Sequence, residues 1–334
     1  MKKLFLTFAF AIVATLTAMA QQISVVSTTG ATTLYRTLQD AIEGADPGSV
    51  IYLPGGGFSI ADSVKINKKL TIIGIGHKSN NDNVDGVTTI SGNLFFNEGS
   101  SSSAVIGCYI TGDVNIGEDG NVDNVLITYC NLNGIGVINN LCMETTVKQN
   151  YIRGSAVFNG SKATVSNNIV GGGIGKVNGG QILNNIIVGH YHDGTPGRFH
   201  LDYGCIGASN SLIKGNLITT TTNYSNDAYY FQMLIGGNNT IISNMSKYDF
   251  GDDCINLGEV DWNNVFVKYN GVSATSNFHF KEDYTQYEGQ VGIYHGTFND
   301  NQLAPVPYIV DKRVDEQTDA SGKLNVKIRV KAGQ

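Results

Sequence analysis

VSNNIVGGGIGKVNGGQILNNII, residues 165–187, contains one six-residue phrase twice: VSNNIV (165–170) and ILNNII (182–187), 17 residues apart. The phrase is an apolar residue, two residues, Asn, one residue, and a second apolar residue. Working outward, it recurs as VIGCYI (105–110), ITYCNL (127–132), VKQNYI (147–152), IKGNLI (213–218) and, in weaker form, IISNMS (241–246). The fourth position is in turn Cys108, Cys130, Asn150, Asn168, Asn185, Asn216 and Asn244, with steps of 22, 20, 18, 17, 31 and 28 residues. A period near 20 in a Gly- and Asn-rich chain, with short β-branched runs between turns, predicts a β-solenoid. A single coil cannot bury its own apolar face, whereas stacked coils share one core at about 4.8 Å per rung. A column of Asn can bond up and down the stack and keep buried amides paired. Cys108 and Cys130 continue that column, as stacked thiols or as a disulfide.

The ends of the chain agree with this reading. In TLQDAIEGADPGSVIYLPGG, Thr37 to Ala45 is a short amphipathic helix stopped by Asp46-Pro47-Gly48, and Ser49 to Leu53 is the first strand. A helix there covers the open end of a stack. With LTIIGIG (70–76), this opening resembles the right-handed parallel β-helix proteins of the pectin lyase-like class, a resemblance covering nearly all of the mature chain. It implies an all-β fold: a right-handed parallel β-helix over 21–303 with an N-terminal helical cap. Residues 276–296, SNFHFKEDYTQYEGQVGIYHG, resemble the final rungs of secreted β-helix proteins. Beyond Pro305 and Pro307, two alternating runs flank Asp319-Ala320-Ser321-Gly322, which predicts a C-terminal β-hairpin appendage over 304–334.

Residues 1–20 read as a secretory signal peptide: Lys2 and Lys3, an apolar run, then Ala18-Met19-Ala20. The mature protein is expected to be exported, whether periplasmic, cell-surface or extracellular, with no membrane span and as a monomer. Loss of two Lys leaves 22 − 2 = 20 basic residues against 28 acidic ones, a formal charge of −8. That balance argues against nucleic acid and anionic membranes as partners. Five Cys leave at least one unpaired.

The rhythm breaks after Asn185. Earlier coils turn tightly four residues beyond the ladder position, at Gly134, Gly154 and Gly172. At that offset the chain then expands into 189–204, next into 219–233, and then into 247–262. Equivalent corners of a solenoid share a face, so the three loops are expected to be neighbours, and loops on a rigid scaffold carry function. The first holds His190, His192, Asp193, Arg198, His200 and Asp202; the second Tyr224, Tyr229 and Tyr230; the third Asp249, Asp252 and Asp253. Tyrosines can stack on sugar rings. Adjacent carboxylates can bind calcium or divide into an acid and a base.

GDDC (251–254) resembles the paired-aspartate motif of the polygalacturonases, which implies Asp252 and Asp253 as acid and base of an inverting hydrolysis. The rest of that pattern, an upstream Asn-Thr-Asp, a downstream Gly-His-Gly and an Arg-Ile-Lys, is missing. A lyase would need calcium-binding acids and a base such as Arg198, His200 or His192, yet none of the five Arg of the chain sits in a lyase motif. His190, His192 and His200 lack a fourth residue in a known metal spacing. The expectation is therefore non-catalytic binding of a polysaccharide or surface glycan, through His190, His192, Asp193, Arg198, Tyr224, Tyr229, Tyr230 and Asp249. An acidic-glycan lyase or hydrolase, and a structural or adhesive role, are the competing expectations.

Overall fold

A computed structural model describes residues 22–62, 64–78, 86–192, 201–219, 229–248, 250–251, 253–273, 275–295, 307–314, 317, 321–323 and 326–331. At 191–192, 201–203, 229–233, 308–310, 312 and 314 the backbone alone is described. The expected signal peptide lies outside these residues.

The chain is a right-handed parallel β-helix built on three long sheets of eleven, ten and nine strands. A typical coil gives one short strand to each sheet; in one, Leu126–Thr128, Asn131–Leu132 and Ile135–Val137 enter the first, second and third sheets. Nine coils follow one another in the first sheet, from Val50–Tyr52 to Thr240–Ile242. The repeat phrase sets the register. Val105, Ile127, Val147, Val165, Ile182, Ile213 and Ile241 are successive partners across the first sheet. All but Ile241 are fully buried.

Each phrase turns a corner from the first sheet to the second. The residue before the ladder position (Gly107, Tyr129, Gln149, Asn167, Asn184, Gly215, Ser243) is left-handed, with φ between 53° and 69°. Gly and Asn tolerate that region best, which accounts for the doublets Asn167-Asn168 and Asn184-Asn185: the first Asn makes the bend and the second the ladder. The backbone N–H and Nδ2 of Asn150 both donate to Asn168 Oδ1 at 3.0 Å. Asn168 does the same to Asn185, Asn185 to Asn216, and Asn216 to Asn244, at 2.9–3.0 Å. The remaining amide hydrogen goes to a strand carbonyl one coil back, as from Asn150 to Ile127 at 2.9 Å. Sulfur ends the column on both sides. Cys130 N–H donates to Asn150 Oδ1 at 2.9 Å, and Asn244 Nδ2 donates to Cys254 Sγ at 3.8 Å. All five cysteines are free thiols, so Cys108 and Cys130 stack without a disulfide.

The helical cap is Leu38–Gly44, with Thr37 Oγ1 accepting from Asp40 N–H at the N-cap and Leu38, Ala41 and Ile42 buried. The strand expected to come first, at Ser49–Leu53, is in fact preceded by two others. Ile23–Val26 pairs antiparallel with both Thr32–Tyr35 and Val50–Tyr52, so the edge of the first sheet is closed by a reversed hairpin as well as by the helix.

The far end also differs from expectation. Among the described residues parallel pairing stops at Ile255–Asn256, and 276–295 add no rung. Instead Trp262–Val265, the antiparallel pair Phe266–Lys268 and Asn277–Phe280, and the turn Glu282–Tyr287 lie across the outside of the second sheet. The cause is that sheet's outer row. Thr89, Tyr109 and Asn131 occupy it in early coils, and Tyr151, Ile169, Ile186, Leu217 and Met245 in later ones. The later stripe is apolar on both faces and needs a cover. Trp262, Phe266 and Phe278 supply it, with Trp262 stacked on Phe266 and Phe278 edge-on to Phe266, both at 5.5 Å. The C-terminal hairpin is present as expected, Tyr308–Val314 pairing antiparallel with Val326–Lys331. No helix among the described residues is long and apolar enough to cross a membrane.

Candidate functional site

The expanded coils alter the third sheet. Early strands there are two or three residues long, whereas Leu201–Ser209 and Tyr229–Ile235 run for nine and seven. They pair in parallel from Leu201 opposite Tyr229 through Gly207 opposite Ile235. Tyr191–His192 adds antiparallel to Gly204 and Tyr203. Residues 201–204 and 229–232, the described ends of the two segments expected to be neighbours, thus lie on adjacent strands of one sheet: Asp202 is the ladder partner of Tyr230, and His192 that of Tyr203. Both insertions leave the corner between the second and third sheets, where Gly134, Gly154 and Gly172 make the tight turns of earlier coils. His190 is partly buried where the first insertion begins. Asp193, Arg198, His200, Tyr224, Asp249 and Asp252 lie outside the described residues.

The third loop includes the last strand of the second sheet, Ile255–Asn256. Among the described residues no strand after Thr240–Ile242 extends the first sheet and none after Tyr229–Ile235 the third, and the chain returns to the second, Met245 pairing with Ile255. The intervening turn closes the end of the stack, with Phe250 buried and Tyr248 partly buried against the core. Asp253 belongs to that closure: its carbonyl accepts Ser243 N–H at 2.9 Å while its side chain is exposed. Gly251, Asp253 and Cys254 of the Gly-Asp-Asp-Cys motif therefore sit at the end of the stack, and Cys254 ends the amide column. Among the described residues, no three His, Cys, Asp or Glu side chains converge as a metal site requires.

At the opposite end of the same strands is a feature that the sequence reading missed. A groove of about 450 Å3 lies at the corner between the third and first sheets, lined by Asn159, Lys176, Asn178, Ser209, Asn210 and Ile235 among others. Pairing in the third sheet shifts register between Ile174 and Val177, and Lys176 is left-handed there, with φ 56°. Such bulges re-aim side chains. A second amide column runs along the groove. Asn210 Nδ2 donates to Asn178 Oδ1 at 2.9 Å, and Asn238 Nδ2 donates to Asn210 Oδ1 at 3.4 Å. Unlike the buried ladder, Asn159, Asn178, Asn210 and Asn238 are all exposed. The sequence signal was an Asn just before successive first-sheet strands, next to Gly at Asn159-Gly160, Asn178-Gly179 and Gly237-Asn238 and between serines at Asn210.

Several other titratable groups make structural contacts. His279 Nδ1 pairs with Glu288 Oε1 at 2.7 Å and its ring stacks on Tyr294 at 3.9 Å, which ties the outer cover together. His295 Nδ1 bonds the carbonyl of Gly289. His77 is buried beside Tyr151, and desolvation lowers its pKa to about 4. Burial raises the Cys108 thiol well above its ordinary value and pushes Cys130 up to about 12, so neither is a nucleophile at neutral pH. No family model, no curated protein and no solved structure matches this chain.

Proposed function

We propose that this chain is an exported, pectin lyase-like β-helix that holds a polysaccharide against its third sheet without turning it over. The observation carrying this reading is the pairing of the two expanded coils. It brings a segment with His192 and Asp202 beside one with Tyr229 and Tyr230, on the rigid side of a solenoid. Aromatic and polar residues on a fixed platform suit sugars, whose rings offer apolar faces edged by hydroxyls. Calcium would join only if the carboxylates of the loops converged on a bound acidic sugar. The missing Asn-Thr-Asp, Gly-His-Gly and Arg-Ile-Lys around Gly-Asp-Asp-Cys favour binding over hydrolysis, because an acid and base must flank one scissile bond.

The test is retention and turnover on one panel of soluble acidic and neutral polysaccharides, with and without calcium. Retention without release of reducing ends, lost in Tyr229→Ala/Tyr230→Ala, is the expected result. Release abolished by Asp252→Ala/Asp253→Ala would make the protein a hydrolase or lyase instead. Neither retention nor release would leave a structural or adhesive role.

A further inference from the structure

We infer that the groove at the corner between the third and first sheets is a subsite for an uncharged, hydroxyl-rich glycan lying along the solenoid axis. The inference rests on the glycan-binding reading above and names the class of glycan.

Three observations support it. The first is shape. The groove takes lining residues from four successive coils: Asn159 from one, Lys176–Asn178 from the next, Gly207–Asn210 from the third, and Ile235–Gly236 from the fourth. Three rung steps at about 4.8 Å make a trough roughly 14 Å long, enough for a few sugars of an extended chain. The second is the spacing of its polar groups. Asn178, Asn210 and Asn238 stand one per rung, joined amide to amide. An amide offers two donors and an acceptor with two lone pairs. Asn210 spends one donor on Asn178 and one lone pair on Asn238, and as an exposed residue it turns the remainder to solvent. A regular row of paired donors and acceptors is complementary to the repeating hydroxyls of a sugar chain. Partly buried Ile235, beside Gly207 and Gly236, gives the C–H face of a ring an apolar floor.

The third observation is charge. Lys176 is the single cation among the lining residues, and no carboxylate is among them. A polyuronate lays down one carboxylate per sugar, and each must be met by a cation or by a metal held on acidic ligands. The groove offers neither in that number, and the whole chain carries a formal charge of −6. Both terms favour an uncharged chain.

The experiment is affinity electrophoresis of the full mature chain in gels containing hydroxyethyl cellulose, galactomannan or polygalacturonate. It compares the parent with Asn178→Ala/Asn210→Ala and with Tyr229→Ala/Tyr230→Ala. Thermal unfolding of the asparagine double variant should match the parent, because both residues are exposed and lie outside the buried ladder. The expected result is retardation by a neutral polymer, weakened about tenfold in the asparagine variant, as loss of two sugar-facing amides implies. Retardation by polygalacturonate alone, or undiminished retardation of the asparagine variant, would overturn this inference. In those outcomes glycan binding itself stands if the tyrosine variant loses retardation. No retardation in any gel would remove both readings.

Discussion

Replacing Asn168 by Ala tests whether the amide column holds the coils together. Asn168 is fully buried. Its Oδ1 accepts the backbone N–H and one amide hydrogen of Asn150. Its Nδ2 donates to Val147 O, Ser166 O and Asn185 Oδ1 at 2.9–3.0 Å. Truncation orphans two buried donors on Asn150 and leaves Val147 O without its side-chain donor, while Asn168 N–H keeps Asn185 Oδ1. At about 1–3 kcal/mol per unsatisfied buried group, the expected loss is about 3 kcal/mol, from a total that is commonly 5–15 kcal/mol. Coils contact mainly their neighbours, so the damage should be local. Urea unfolding followed by far-UV circular dichroism gives the total. Hydrogen exchange should show lost protection in 145–152 and 181–187 and unchanged protection in 50–73. The control is Asn178→Ala in the exposed column, expected to cost under about 0.5 kcal/mol. A loss below about 1 kcal/mol for Asn168→Ala, or one equal to the control, would refute the claim that this column stabilises the stack.

Other consequences are measurable. His77 is neutral in the fold, with a pKa of about 4, and titrates near 6.5 when unfolded. Stability contributed by keeping it neutral is complete above pH 6.5 and falls as pH drops toward 4, by about 3 kcal/mol in all; His77→Phe should flatten that part of a stability–pH curve. Ellman's reagent at pH 8 should label Cys254, the one thiol that is only partly buried, and reach all five after denaturation; rapid native labelling of Cys108 or Cys130 would contradict their raised pKa values. Trp262→Ala should cost about 3–5 kcal/mol within the outer cover and raise binding of an apolar dye, while leaving exchange in the first sheet unchanged.

The repeat phrase made the solenoid legible because one apolar pair and one Asn per coil determine both register and corner, and the lengthened spacing located the coils that carry the strands 201–209 and 229–235, which were expected as loops. What stayed hidden depends on contacts distant in sequence. The reversed strands at Ile23–Val26 and Thr32–Tyr35 carry no repeat and are defined only by their pairing with Val50–Tyr52. The outer cover was expected to be further rungs because 276–296 resembles the final rungs of secreted β-helix proteins. The antiparallel pairing of Asn277–Phe280 with Phe266–Lys268 and its place in the apolar cluster with Tyr151 and Ile169 rest on contacts distant in sequence. The groove escaped because Asn beside Gly reads as a turn, and only the stacking of coils turns separate turns into a column.

The outer cover also acts as a gauge of length. It spans the second sheet from Tyr151 to Met245, so its aromatic residues are matched to five particular coils. A coil inserted among the early, uncovered turns would lengthen the rod and leave that match intact. One inserted between Ile169 and Leu217 would displace every later seat by about 4.8 Å and part Trp262 and Phe266 from the stripe they bury. Growth and loss of repeats in related chains should therefore concentrate before Tyr151, with the covered half constant in length.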